Sequence, residues 1–157
     1  LHMYREDSIS RGSKSIGDFE YPFVIPGQLC IPQLNISIEA NEVDKLDVLT
    51  GSHRCIYIDA DSIRTGLRVR NRRPGDRISP LGMKGSKKLK DFFIDRKIPA
   101  RKRGHVPLIL DGDNILWIVG HQMGHEYRIT QNTKRIIELK VFYNKFHKDH
   151  IKTERED

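Results

Sequence analysis

Pro22, Pro26 and Pro32 crowd into "FEYPFVIPGQLCIPQLNISIEA", residues 19–40. Proline lacks an amide hydrogen and its ring clashes with the preceding turn, so no helix runs through this stretch. The segments "PFVI" and "QLCI" flank Pro26-Gly27, the signature of a type II turn with Gly27 at positive φ. "LNISIEA" then alternates apolar and polar residues, the period of a half-buried strand. "RCIYIDA" (54–60), "GLRVRNR" (66–72) and "KRIIELKVFY" (134–143) read as further strands. "VPLILDGDNILWIVG" reads as a hairpin turning at Asp111-Gly112-Asp113.

One segment is helical. In "GSKKLKDFFIDRKIP" (85–99), Leu89, Phe92, Phe93 and Arg96 follow the i, i+3, i+4, i+7 pattern. Ser86 is placed to cap its start, and Pro99 ends it by forcing Ile98 out of helical geometry. Pro99 can open a short second helix, "PARKRG". The acidic "NEVDKLDVLTGS" (41–52) fits a short helix or a loop. The sum is an α+β, strand-rich chain, with an antiparallel or mixed sheet and one or two short helices. Leu89, Phe92, Phe93, Leu108, Ile109, Leu110, Leu116, Trp117 and Val119 are expected to form one core, helix against hairpin.

The 157 residues suit one medium domain, or one domain with a small appendage. We divide the chain into a linker or arm (1–18), a strand-rich leading segment (19–62), a main domain (63–143) and a charged tail (144–157). No apolar run approaches the ~20 residues that span a bilayer, and the first residues lack the apolar centre of a secretion signal. A cytoplasmic location follows as the expectation. Cys30 and Cys55 then read as reduced, partly buried thiols.

Charge is the main functional signal. Arg64 to Gly104 holds fifteen Lys or Arg against three acids, Asp76, Asp91 and Asp95. That is a net +12 in a chain of net +7, which leaves −5 for everything else. Solubility does not call for such a concentration, and self-repulsion works against it. Arg68, Arg70 and Arg72 alternate along one strand and should project together. Arg73 and Arg77 flank a second Pro-Gly turn, while Lys87, Lys88 and Lys90 crowd the expected helix start. Cations there oppose the helix dipole unless an anion sits at that end, and a backbone phosphate is the natural one. With Lys84, Arg96, Lys97, Arg101 and Arg103 added, these residues form a candidate surface for a polyanionic backbone.

Several chemistries are excluded. No zinc-finger, zipper or helix-turn-helix pattern is present, and no aromatic–glycine run for stacking single strands. A folded, double-stranded RNA read by shape fits best. "PLGMKGSKK" has the wrong glycine spacing for a phosphate loop. His121 and His125 in "HQMGH" lack a helix and a third ligand, so no metal site is assigned. We find no catalytic triad and no tuned carboxylate pair.

The ordered set R-x-R-x-R-x-P-G-D-R, G-x-K-K-L-K-D-x-F, I-P, R-x-x-x-P-L and W-x-x-G runs through residues 68–120. This closely resembles the C-terminal domain of bacterial tRNA(Ile)-lysidine synthetase. The resemblance implies a fold similar to a domain of the phenylalanyl-tRNA synthetase β subunit. It implies a ligase that uses ATP, with magnesium, to attach lysine to the wobble cytidine of an isoleucine tRNA with a CAU anticodon, for AUA decoding. In that family the chemistry belongs to an N-terminal domain with an S-G-G-x-D-S loop, which this sequence lacks. The chain would therefore be inactive alone, hold no cofactor, meet that catalytic domain, and contact the tRNA body and acceptor stem. A basic protein-interaction module and a DNA-binding domain are the competing readings.

Overall fold

The computed structural model describes residues 16–48 and 51–144. The greater part of the expected arm and tail, and Leu49 and Thr50, lie outside the described residues.

The chain builds two antiparallel sheets and a small ribbon. One sheet has the order β1 (Glu20–Phe23), β5 (Leu67–Arg70), β8 (Leu108–Asp111), β9 (Asn114–Ile118), β10 (Gln122–Met123). The other has the order β2 (Gly27–Ile31), β3 (Ile36–Val43), β11 (Ile136–Tyr143), β4 (Cys55–Asp59). β6 (Arg77–Ile78) and β7 (Lys87–Lys88) form the ribbon. α1 (Leu89–Asp95) follows β7 directly, and α2 (Ala100–Arg103) is one turn. The strand-rich expectation holds. The leading segment shares both sheets with the rest of the chain: β1 pairs with β5, and β11 lies between β3 and β4.

The five-stranded sheet is covered on both faces, which explains why "LIL" (108–110) and "ILWI" are continuously apolar rather than alternating. Between the two sheets lie Phe19, Phe23, Ile38, Ile58, Leu67, Val69, Ile109, Leu116, Trp117, Val119 and Leu139. On the far face, Ile78, Leu89, Phe92 and Phe93 pack on Leu108, Leu110, Ile115 and Ile118. All nine residues of the expected core are buried, but they divide between these two layers. Ile109, Leu116, Trp117 and Val119 face the second sheet, not the helix. Phe92 and Phe93 meet edge to face, with centroids 5.9 Å apart.

Local expectations fail at three places. Gly27 opens β2 without a positive φ, and the Ile25–Pro26 bond is cis, so this turn is not type II. Cys30 is exposed on its strand instead of partly buried; Cys55 is half-buried, and both thiols are free. Within 41–52, open in sequence between a short helix and a loop, Lys45–Asp47 make a single 3-10 turn. Finally, α1 starts at Leu89, two residues later than a Ser86 cap requires. It ends in a left-handed residue, Lys97 (φ +57°), with Ile98 N–H donating to Phe93 O at 2.9 Å.

Candidate nucleic-acid interface

The second Pro-Gly turn organises the basic surface. Gly75 has φ +88°, as the third position of a type II turn demands, and Asp76 N–H donates to Arg73 O at 3.2 Å. Asp76 is the hub. Its carboxylate accepts two bonds from Arg70, Nη1 and Nη2, each at 3.0 Å, and one from Arg73 N–H at 2.8 Å. Its carbonyl accepts Leu89 N–H at 2.9 Å, which ties the turn to the start of α1. Asn71 anchors the approach: its Oδ1 accepts Phe19 N–H, and its Nδ2 donates to Gly17 O, both at 3.2 Å.

Arg70 is therefore corrected. Its side chain is 6% exposed and fully committed to folding the turn, so it presents nothing to a partner. Arg68 and Arg70 share a strand face, but both are bonded within the fold, and Arg72 lies beyond the end of β5. Arg68 donates to Glu20 at 3.0 Å and to Gly112 O at 2.9 Å. Arg73 reaches the same Glu20 carboxylate. The Arg73 bond, with Arg68 beside it, holds the Glu20 carboxyl below its ordinary pKa.

The helix-start phosphate site is also corrected. Lys87 and Lys88 lie in β7, not in the first helical turn. α1 has seven residues, its first amide is taken by Asp76, and Asp91 sits in its first turn. Lys87 is ion-paired with Asp95. Ser86 caps nothing; its hydroxyl accepts from Arg77 Nε at 2.9 Å. Arg96 lies 4.6 Å over the Phe92 ring and donates to Gln122. Arg103 donates to Ile98 O at 2.9 Å beneath α1.

The remaining predicted cations, Arg72, Lys84, Lys88, Lys90, Lys97 and Arg101, are exposed. Their side chains have no hydrogen-bond or ion-pair partner among the described residues. A cleft of about 810 Å³ gathers several of them. Arg72, Arg73, Arg77, Lys88, Lys90 and Arg103 line it, together with Pro74, Gly75 and Ala100. Asp18 and Asp76 line it as well, Asp76 being already neutralised by Arg70, and Glu20 pairs with Arg73. This cleft, between the turn and the two helices, replaces the helix terminus as the site of positive charge. Lys84, Lys97 and Arg101 do not line it.

Sequence reasoning missed the other side of the turn. A second cleft of about 430 Å³ also uses Pro74, Gly75, Asp76 and Arg77, but joins them to Ser79, Ser86, Asp113, Asn114, His125 and Glu126. These residues come from distant segments with no shared spacing, so no local signal could have collected them.

Among the described residues no three His, Cys, Asp or Glu cluster to hold a metal. His125 Nδ1 accepts Gly82 N–H at 3.0 Å, a structural bond. His121 is half-buried, and burial, with Arg96 and His53 nearby, lowers its pKa. No described helix is long and apolar enough to cross a membrane.

A family model described as the TilS substrate C-terminal domain matches residues 67–139. The chain is 43% identical over 143 residues to a tRNA(Ile)-lysidine synthase of Clostridium tetani, covering 90% of this chain and 30% of that protein. It is 37% identical over 139 residues to the one of Caldanaerobacter subterraneus subsp. tengcongensis, covering 87% and 30%. The chain thus spans about 30% of the length of these relatives. A crystal structure of a TilS C-terminal domain superposes with TM-score 0.72 at 28% identity, over 81% of this chain and 98% of that one. A phenylalanyl-tRNA synthetase β-subunit fragment of Pyrococcus horikoshii aligns at TM-score 0.45 and 20% identity, over 57% of this chain and 28% of that one. The motif order, the two-sheet fold and these relatives agree that the chain belongs to the family of tRNA(Ile)-lysidine synthase C-terminal domains.

Proposed function

We propose that this chain holds a structured tRNA, through its body and acceptor stem, as the RNA-gripping part of a tRNA(Ile)-lysidine synthase. The cationic cleft carries the reading. Six basic side chains meet at one concave surface; Arg73 is paired with Glu20, and the acids lining the cleft are Asp18 and the Arg70-bound Asp76. Lys88, Lys90 and Arg72 there lack partners among the described residues. A phosphodiester backbone supplies the missing anions. The partner is an isoleucine tRNA with a CAU anticodon, and the setting is the cytoplasm.

The ATP-dependent joining of lysine to the wobble cytidine belongs, in this reading, to a catalytic domain in the longer protein. The chain offers no phosphate loop of its own. Supplied with ATP, lysine and tRNA, it should release no AMP above background.

The test is a salt titration of binding to an isoleucine tRNA transcript, with duplex DNA and an acidic protein as competitors. Each phosphate contacted contributes about −0.7 to −0.9 to the log–log slope. A steep slope with preference for tRNA supports the reading. A shallow slope, or equal competition by DNA, rejects it.

A further inference from the structure

Arg73 lines the cationic cleft, yet its guanidinium is ion-paired with Glu20, which does not line that cleft. Resting on the RNA reading above, we infer that Glu20 holds Arg73 at the rim until RNA arrives. Arg73 then exchanges the Glu20 carboxylate for a backbone phosphate, and Glu20 stays paired with Arg68.

Glu20 has two guanidinium partners, and they use different oxygens. Arg68 Nη1 donates to Oε2 at 3.0 Å, while Arg73 Nη2 donates to Oε1. The departure of one therefore leaves the other bond in place. Arg68 is the fixed partner. It lies half-buried within β5, and its Nη2 also donates to Gly112 O at 2.9 Å. The β1–β5 pairing sets Glu20 opposite Arg70, one diagonal step from Arg68 on the same face.

Arg73 is the movable partner. Its backbone is pinned in the Pro-Gly turn: its N–H donates to the Asp76 carboxylate at 2.8 Å and its O accepts Asp76 N–H at 3.2 Å. Its side chain is exposed, and Glu20 is the only group its guanidinium bonds among the described residues. The guanidinium can swing while the turn stands still. Arg70 has no such freedom, because its pair with Asp76 is buried beneath the turn.

The balance favours exchange. An exposed ion pair gains little in water, a factor of about five at most in an equilibrium constant. A guanidinium matches a phosphate with two parallel charge-assisted bonds. That phosphate is also drawn into the cleft by Arg72, Lys88 and Lys90. Glu20 thus lowers affinity for RNA, and does so through Arg73.

A double-mutant cycle tests this. Binding of an isoleucine tRNA transcript is measured at several salt concentrations for the 157-residue chain, Glu20→Gln, Arg73→Ala and the combined variant. Glu20→Gln keeps a side-chain oxygen for Arg68. It should bind about two- to fivefold more tightly than the parent. Arg73→Ala should bind more weakly, with a salt slope shallower by about one contact. With Arg73 absent, Glu20→Gln should gain no more than Asp18→Asn does. Asp18, an acid lining the cleft, measures the general effect of removing negative charge and should give the same factor in both backgrounds. Equal gains from Glu20→Gln with and without Arg73 overturn the inference, because Glu20 then acts only as a nearby charge. Equal or weaker binding by Glu20→Gln also overturns it, because no exchange then opposes binding. Both outcomes leave the RNA reading standing. A parent that binds without steep salt dependence overturns that reading, and this inference with it.

Discussion

Arg70 and Asp76 meet through two parallel bonds of 3.0 Å, with side chains 6% and 12% exposed. Six residues apart, they close the Pro-Gly turn from beneath, and Asp76 also accepts Arg73 N–H. Removing one partner leaves the other charge buried without compensation, which typically costs about 3–5 kcal/mol. Asp76→Ala should therefore lose stability on that order in urea denaturation. Arg72→Ala, at the exposed neighbour, should stay within about 0.5 kcal/mol of the parent. Equal stability of the two variants would mean that the pair does not hold the turn.

Phe93 is fully buried where α1 packs on Leu108, Leu110, Ile115 and Ile118. Phe93→Ala should cost about 3–5 kcal/mol. Ile94→Ala, half exposed on the same helix, should cost far less. Thermal denaturation of both variants checks the orientation of the helix.

Asp111 ties the 64–65 segment to the hairpin. Burial works to raise its pKa. Four donors outweigh that: Thr65 N–H at 2.8 Å, Arg64 N–H at 3.0 Å, Thr65 Oγ1–H at 2.8 Å and Tyr127 Oη–H at 3.0 Å. The folded pKa therefore lies below the unfolded value. The stabilisation is whole above the ordinary carboxylate pKa of about 3.9, and is lost as pH falls through the folded value. Asp111→Asn should be less stable than the parent at neutral pH, with the gap narrowing as the medium becomes acid. Denaturant midpoints measured across the acid range decide it; a gap independent of pH would assign the loss to geometry rather than charge.

Lys88 and Lys90 line the cationic cleft and have no ion-pair partner among the described residues. Replacing both with alanine should weaken tRNA binding and reduce the salt slope by about one to two contacts. Stability should hold or rise slightly, because like charge leaves the start of α1. Lys140→Ala, on β11 and away from the cleft, should bind almost as the parent does. Equal losses per charge removed would mean that only net charge matters.

Much was legible in sequence because it depends on neighbours along the chain. Alternation gives β3, β4, β5 and β11, and the Asp111-Gly112-Asp113 turn gives the β8–β9 hairpin. The helical spacing of Leu89, Phe92 and Phe93 puts them on one buried face. The ordered motifs already resembled the family to which the chain belongs. What period cannot report is what covers each face. Alternation correctly placed Arg68 and Arg70 opposite Leu67 and Val69. Only the tertiary fold brings Asp76 over that face, and so turns Arg70 from a surface cation into a buried strut. Lys87 and Lys88 carry helix-compatible propensity, yet pairing with Arg77 and Ile78 draws them into a ribbon and delays the helix to Leu89. The apolar run of β8 and β9 announces burial without saying on which side. Two layers of partners divide it, one a sheet and one a helix. The sequence thus determined the strands, the helix face and the excess of charge. The clefts on either side of the Pro74–Gly75 turn were decided by long-range packing, because their walls come from segments that local spacing does not connect.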